Sequence, residues 1–241
     1  MLQIYQRLRR HQGLQCWWPG ESSYEVVVGC ILTQNTNWGN VGKSIANLKA
    51  VDLLHPAKIL DIPLDWLIEL IRPTGFPTQK PLRLKAISQW WLGAIGDDVK
   101  PLAYFAEADW GSDTGTLRIP YPPLTTRNLN DVRNELLAIK GVGPETADAI
   151  LLYALGLPTF VVDAYTNRVF SRVGLVTASI AYEELRHLFQ SILPVYVPLY
   201  SDYHAQITTL AKNHCLSKPR CRGCPLGEIC QTNLVANNKA D

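Results

Sequence analysis

The sequence has little charge of either sign: 18% of its 241 residues are charged against 47% hydrophobic, and the formal net charge is +2. That balance excludes a long disordered tail, because a chain this apolar can bury enough surface to offset the entropy of ordering nearly every segment. It also lacks the strong basic excess that often marks a nucleic-acid protein, so charge alone decides nothing about such partners. Long apolar runs are missing too. No stretch reaches the roughly 18 residues of a membrane span, and the opening MLQIYQRLRRHQGLQ is too polar for a signal peptide. The expected setting is the cytoplasm or nucleoid, with no membrane partner. Strand signals are scarce, and there is no internal repeat, low-complexity tract or coiled-coil heptad. What remains is a folded, mostly helical chain, long enough for one large or two small domains.

Helical periodicity fills the sequence. Ser22-Ser23-Tyr24-Glu25 has the form of a capping box, in which the Ser22 hydroxyl takes an orphan amide and Glu25 reaches back. The following VVVGCIL is apolar on all sides and predicts a buried central helix over 23–35. The pattern predicts further helices over 39–50, 63–72, 80–94, 131–139, 144–155, 164–173, 180–191 and 198–212. Residues 106–128 collect Gly, Pro, Ser and Thr without a helical period and read as a long irregular connection. Pro158 and the run Thr159 to Val162 separate the helix ending near Leu155 from the next, which marks the expected domain boundary.

Two segments carry chemistry. In LLAIKGVGPETADAILLYAL, two apolar helical stretches are joined by Lys140-Gly141-Val142-Gly143, with Pro144 opening the second. Glycine at 141 and 143 permits a tight turn and close approach to another molecule, Val142 can plug back between the helices, and Pro144 is pre-set for a first helical position. Such a turn presents free amides that suit one phosphate without reading sequence, although a bare GxG also occurs where two helices merely pack. The second segment is the cysteine cluster. Six cysteines in a chain without an export signal point to metal or redox chemistry rather than disulfides. Cys16 and Cys30 stand in apolar surroundings and read as packing residues. The other four form Cys215-x5-Cys221-x2-Cys224-x5-Cys230, the thiolate number of a [4Fe-4S] cluster, with tetrahedral zinc as the alternative. Lys218, Arg220 and Arg222 lie between these ligands and suggest a basic loop that touches phosphates.

The hairpin, the VVDAYTNRVF that places Asp163 about 20 residues beyond it, and the cysteine loop together closely resemble the endonuclease III superfamily of helix-hairpin-helix DNA glycosylases. The likeness runs from about residue 17 to 230. It implies an all-α fold of two helical domains: a barrel domain of 21–156 bearing the helix-hairpin-helix, and a C-terminal iron-sulfur domain of 157–241 joined by 1–20. Double-stranded DNA and a flipped, damaged base would lie at the cleft between them, and the chain would act as a monomer with a [4Fe-4S] cluster. The hairpin residues Lys140, Gly141, Val142 and Gly143, with Arg220 and Arg222, would bind DNA.

Asp163 matches the superfamily's catalytic aspartate. An ionised carboxylate stabilises the positive charge that builds on the sugar as an N-glycosidic bond breaks; the same residue also suits a plain cap for the helix beginning at Ala164. Members that also cut the backbone carry a lysine where this chain has Glu145, and a carboxylate cannot form a Schiff base. Lys140 and Lys80 could substitute for it, but neither stands at that position. Hydrolysis alone is therefore expected, with Glu145 contacting base or water, or serving as a first-turn acid for the helix dipole. ILTQNTNW, RPTGFPTQK and Trp17-Trp18-Pro19 look most like the branch of endonuclease III-type 3-methyladenine glycosylases, which implies alkylated purines. In that reading Gln34 fills the gap left by the flipped nucleotide, Phe76 is an apolar wedge, and Trp17 or Trp18 stacks on a cationic base. The first gap of the cysteine loop is one residue shorter than in endonuclease III. A strand-cleaving glycosylase and a non-catalytic damage-binding protein are the competing functions.

Overall fold

The structure, a computed structural model, describes residues 1–15, 17–97, 104–106, 116–118 and 123–237. Cys16 and most of the connection over 106–128 lie outside these residues. In chain order the helices are α1 (Leu2–Gln12), α2 (Ser23–Leu32), α3 (Trp38–Ala50), α4 (Pro56–Asp61), α5 (Leu64–Ile71), α6 (Lys80–Ala94), α7 (Leu129–Ala138), α8 (Pro144–Ala149), α9 (Ala164–Val173), α10 (Tyr182–Ile192), α11 (Val197–Asn213) and α12 (Gln231–Asn237). A 3₁₀ turn, Arg72–Thr74, follows α5, and a π turn, Ile150–Ala154, continues α8. Strands β1 (Tyr104–Ala106) and β2 (Thr116–Arg118) form a two-stranded sheet. The expected all-α class holds, and each predicted helix is present within a few residues. The sequence pattern did not reveal α1, α4 and α12.

The chain divides into two compact units, one of Trp18–Tyr104 with Arg118–Leu157, the other of Met1–Trp17, Phe105–Leu117 and Pro158–Asp241. In the first, α2 is the axis and every residue of it is buried. Its start differs in detail from a capping box. Ser22 Oγ accepts the Glu25 amide at 3.1 Å, but the Glu25 carboxylate accepts from the Glu21 amide at 3.0 Å and pairs with Lys49. The helix ends at Leu32, short of the predicted 35, because Asn35 turns into the left-handed region at φ 54°. The π turn packs its five buried residues on α2. Trp18 is enclosed between them: a Cβ on Gly29 would stand 3.0 Å from its Nε1, and its ring meets Trp38 at 5.3 Å and Tyr153 at 5.4 Å.

The second unit is built on α11, whose core side chains are almost all buried. Phe160, Phe170, Phe189 and Tyr203 pack around one another, with Phe160 and Phe189 stacked at 4.1 Å. Aromatic pairs at such spacings add specific geometry to a large buried area. Asp202 is the polar counterpart. Its buried carboxylate accepts from Tyr5 Oη at 2.9 Å, Arg9 Nη1 at 3.1 Å and the Gln15 amide at 3.0 Å. A buried charge must be paired in this way to be tolerated, and here the pairing fixes α1 against α11.

Candidate functional site

Within the first unit the hairpin joins α7 to α8. Gly141 holds φ +90°, a conformation that favours glycine, and a Cβ there would also run into the Arg83 side chain. Val142 is buried and its amide donates to Ile139 O at 3.0 Å, which leaves Lys140, Gly141 and Gly143 exposed around it. Pro144 occupies the first helical position, and Glu145 follows on the exposed first turn of α8.

Gln34 is brought against this turn. Its Nε2 donates to Gly141 O and Thr146 Oγ1, both at 3.0 Å, while its Oε1 accepts from Arg83 Nη1 at 2.6 Å. Arg83 Nη2 also donates to Gln79 Oε1 at 2.7 Å. Phe76 projects from the loop before α6 with φ 53° and 44% of its surface exposed, rare on both counts for a bulky aromatic. Lys80 lies behind it, fully buried, with Nζ donating to Leu32 O and Thr74 O, both at 2.8 Å. Burial, helped by the nearby Arg83 charge, pulls Lys80 down to about 8.

In the second unit Asp163 caps α9. Oδ1 accepts from the Thr166 amide at 2.7 Å and from Thr166 Oγ1 at 2.8 Å, while Oδ2 faces His204 Nε2 of α11 at 3.6 Å, an ion-pair distance when the imidazole is protonated. Burial pushes this carboxyl up, but His204 and the two Thr166 donors outweigh it and hold Asp163 below the ordinary carboxylate range. Capping and an ionised carboxylate thus occur together. Trp17 is half-buried, with its carbonyl accepting from Ser201 Oγ at 3.2 Å and the Lys212 ammonium 5.3 Å from its ring centre. Trp18, by contrast, is a core side chain with 5% of its surface exposed.

The four cysteines line one pocket together with Arg172, His214 and Arg220. Arg172 Nη1 donates to Cys215 Sγ at 3.3 Å, and Cys230 Sγ donates to Arg172 O at 3.2 Å. Burial raises the Cys224 thiol, and crowding by Cys215, Cys221 and Cys230 adds to this. Helix α9 grips the same loop: Arg168 Nε donates to Cys215 O at 2.7 Å, and Arg172 to Leu216 O at 2.5 Å and Ser217 O at 2.9 Å. Lys218, Arg220 and Arg222 are exposed between the cysteines. Among the described residues no three His, Cys, Asp or Glu side chains converge tightly enough to hold a single metal ion.

Sequence reasoning did not find His204, Arg83, Arg172 or the structural engagement of Lys80. For His204 a signal existed, a buried histidine in a helix whose other charged residues are Asp202 and Lys212, but nothing local linked it to Asp163. Among the described residues no helix is long and apolar enough to cross a membrane.

Comparison with known proteins gives these groups a context. The model of the HhH-GPD superfamily base excision DNA repair proteins matches residues 28–195. A Methanocaldococcus jannaschii protein that carries the name of a DNA repair glycosylase is 44% identical over 227 residues, 94% of each chain. Among solved structures, an H. pylori 3-methyladenine DNA glycosylase bound to 1,N6-ethenoadenine superposes with a TM-score of 0.65 at 27% identity, covering 87% of this chain and 96% of that one. A non-covalent endonuclease III complex with DNA shares the fold at a TM-score of 0.75 and 19% identity, covering 98% and 96%.

Proposed function

Because this chain belongs to the HhH-GPD superfamily of base excision DNA repair proteins and is a DNA N-glycosylase, we propose that it works by hydrolysis alone, releasing an alkylated purine with Asp163 as the catalytic carboxylate. The observation that carries the reading is the pairing of an exposed Glu145 with a sequestered Lys80. The hairpin position at which strand-cleaving members keep their lysine holds a carboxylate. Lys80, whose lowered pKa would otherwise suit a nucleophile, has its ammonium fully buried and donating to two carbonyls, out of reach of an abasic sugar.

The chemistry then falls to Asp163. As the glycosidic bond stretches, positive charge grows on the sugar, and a carboxylate already ionised and fixed by Thr166 and His204 stabilises it without reorganising. An N-alkylated purine is cationic and a good leaving group, so it needs little acid assistance. Trp17 supports this substrate class because its ring already accommodates the Lys212 ammonium, as it would a cationic base. The likeness to an H. pylori 3-methyladenine DNA glycosylase supports an alkylated purine as the substrate. Trp18 takes no part in stacking. Glu145 stands ready to contact base or water, and the exposed hairpin turn, with Arg220 and Arg222, meets phosphates.

The cysteine pocket fits a [4Fe-4S] cluster held by Cys215, Cys221, Cys224 and Cys230. Four thiols facing one pocket supply the ligand number of such a cluster, with tetrahedral zinc as the alternative. The cluster's role is structural, organising the basic loop.

A release assay tests the reading. Duplexes carrying methylated purines, 1,N6-ethenoadenine, uracil or a mismatched thymine should lose the alkylated purine fastest, and strands should break only after alkali. A borohydride-trapped covalent adduct forming at the rate of base release, or preference for uracil or thymine, would overturn it.

The pairing of Asp163 with His204 gives a pH prediction. A depressed carboxyl pKa means that the ionised form, and the activity and stability it brings, persist until the pH falls through that low value. His204→Ala removes a lowering influence and leaves the burial that raises. The acid limb of the pH-rate profile should therefore move to higher pH, with the rate above it little changed. An unmoved limb would show that His204 does not act on Asp163.

A further inference from the structure

Lys80 does more than escape the solvent. No carboxylate among the described residues pairs with its ammonium, and such burial is costly unless each N–H is used. Two are used by Leu32 O and Thr74 O, and the ring of Phe76, with its centre 5.4 Å away, offers a third partner. The two carbonyls belong to separate loops. Leu32 ends α2, two residues before Gln34; Thr74 ends the 3₁₀ turn, two residues before Phe76. Each loop holds a non-glycine residue in the left-handed region, Asn35 at φ 54° and Phe76 at φ 53°, a conformation that persists only where its surroundings enforce it. The first turns of α6 provide that enforcement. Phe76 O accepts the amides of Gln79 and Lys80, both at 3.1 Å, and Arg83 holds the Gln34 side chain from the next turn.

We propose that Lys80 is a positioning residue for base extrusion: its ammonium ties the Gln34 loop to the Phe76 loop so that both side chains enter the duplex as one rigid wedge. This rests on the reading of Gln34 and Phe76 as the residues that occupy the stack. Extrusion must break a base pair and unstack the target, and a wedge already in place does this without first ordering two loops.

The test compares single-turnover release of the fastest-cleaved base from the panel above in two duplexes, one with the lesion paired and one with it opposite an abasic-site analogue, where no pair has to break. Lys80→Met should lose at least about tenfold more rate on the paired than on the unpaired substrate, a partition that general destabilisation does not produce. Phe76→Ala should show the same bias, and the double variant should be no worse than about threefold below the poorer single one, since both remove one device. Equal losses on both duplexes for Lys80→Met, or fully multiplicative effects, overturn the proposal. If Phe76→Ala shows no bias, the wedge reading itself fails; if Phe76→Ala shows it and Lys80→Met does not, only the role of Lys80 fails. Should Lys80→Met not fold, Lys80→Leu, which likewise removes both N–H donors to Leu32 O and Thr74 O, is read by the same criteria.

Discussion

Asp163→Asn is expected to leave the chain folded and able to bind DNA while cutting base release more than about a hundredfold, the equivalent of about 3 kcal/mol at the transition state. The substitution separates the capping that the geometry shows from the proposed catalytic role. Asparagine caps a helix about as well as aspartate, and its Oδ1 can accept the same two bonds from the Thr166 amide and hydroxyl. What disappears is the negative charge beside His204 and the electrostatic support it gives to a cationic sugar. If Asp163 were only a cap, rate and melting temperature would both barely change. Thermal melting, affinity for an abasic-site analogue and single-turnover release of the alkylated base together decide the matter. A folded, DNA-binding variant that releases base within a few-fold of the parent would move catalysis elsewhere, with Glu145 the next candidate.

How much of this could be read from the sequence follows the range over which each signal acts. The cap at Asp163, the GVG turn, the plug residue Val142 and the cysteine loop are local: neighbouring residues state the geometry, and the chain realises it. The all-round apolar run of α2 likewise announced a buried helix, and all ten residues are buried. Helix α1 was missed because only Ile4, Tyr5 and Leu8 face inward and its other anchors are polar bonds to distant residues, among them Asp202 and Gln206, some 190 positions away. Partnerships across that distance leave no mark in a single sequence. His204 reaches Asp163 from 41 residues downstream, and Lys80 reaches Leu32 O from 48 residues downstream. The two adjacent tryptophans were indistinguishable as letters. Their separation into a core residue and a half-buried one depends on Gly29, whose missing side chain leaves room for the indole of Trp18.

Loss of one cysteine should have the other large effect. Purified without oxygen, the protein should be brown and contain about four iron and four sulfide per chain, and Cys221→Ser should lose the colour, most of the iron and much of the solubility. The reason lies in what the cysteine loop is made of. Cys215 to Cys230 contains no helix, and within it only Leu226 among the larger apolar residues is fully buried, so its folding free energy must come largely from ligation. Burial and the neighbouring cysteines keep the Cys224 thiol protonated, so this group of sulfurs becomes ionised only when a metal group takes up the charge, and the order of the loop depends on that ligation. The consequence extends along α9. Arg168 and Arg172 donate to the carbonyls of Cys215, Leu216 and Ser217, and the same helix begins at the Asp163 cap. Loosening the loop frees those arginines and lowers the stability of the helix that Asp163 caps, so base release should fall together with the melting temperature, unlike in Asp163→Asn, where rate is expected to fall alone. Iron and sulfide analysis, visible absorption and a thermal melt of parent and variant measure all three effects. Stoichiometric zinc without iron in the parent would replace the cluster by a single ion, and a Cys221→Ser variant that kept its iron and its melting point would remove Cys221 from the ligand set.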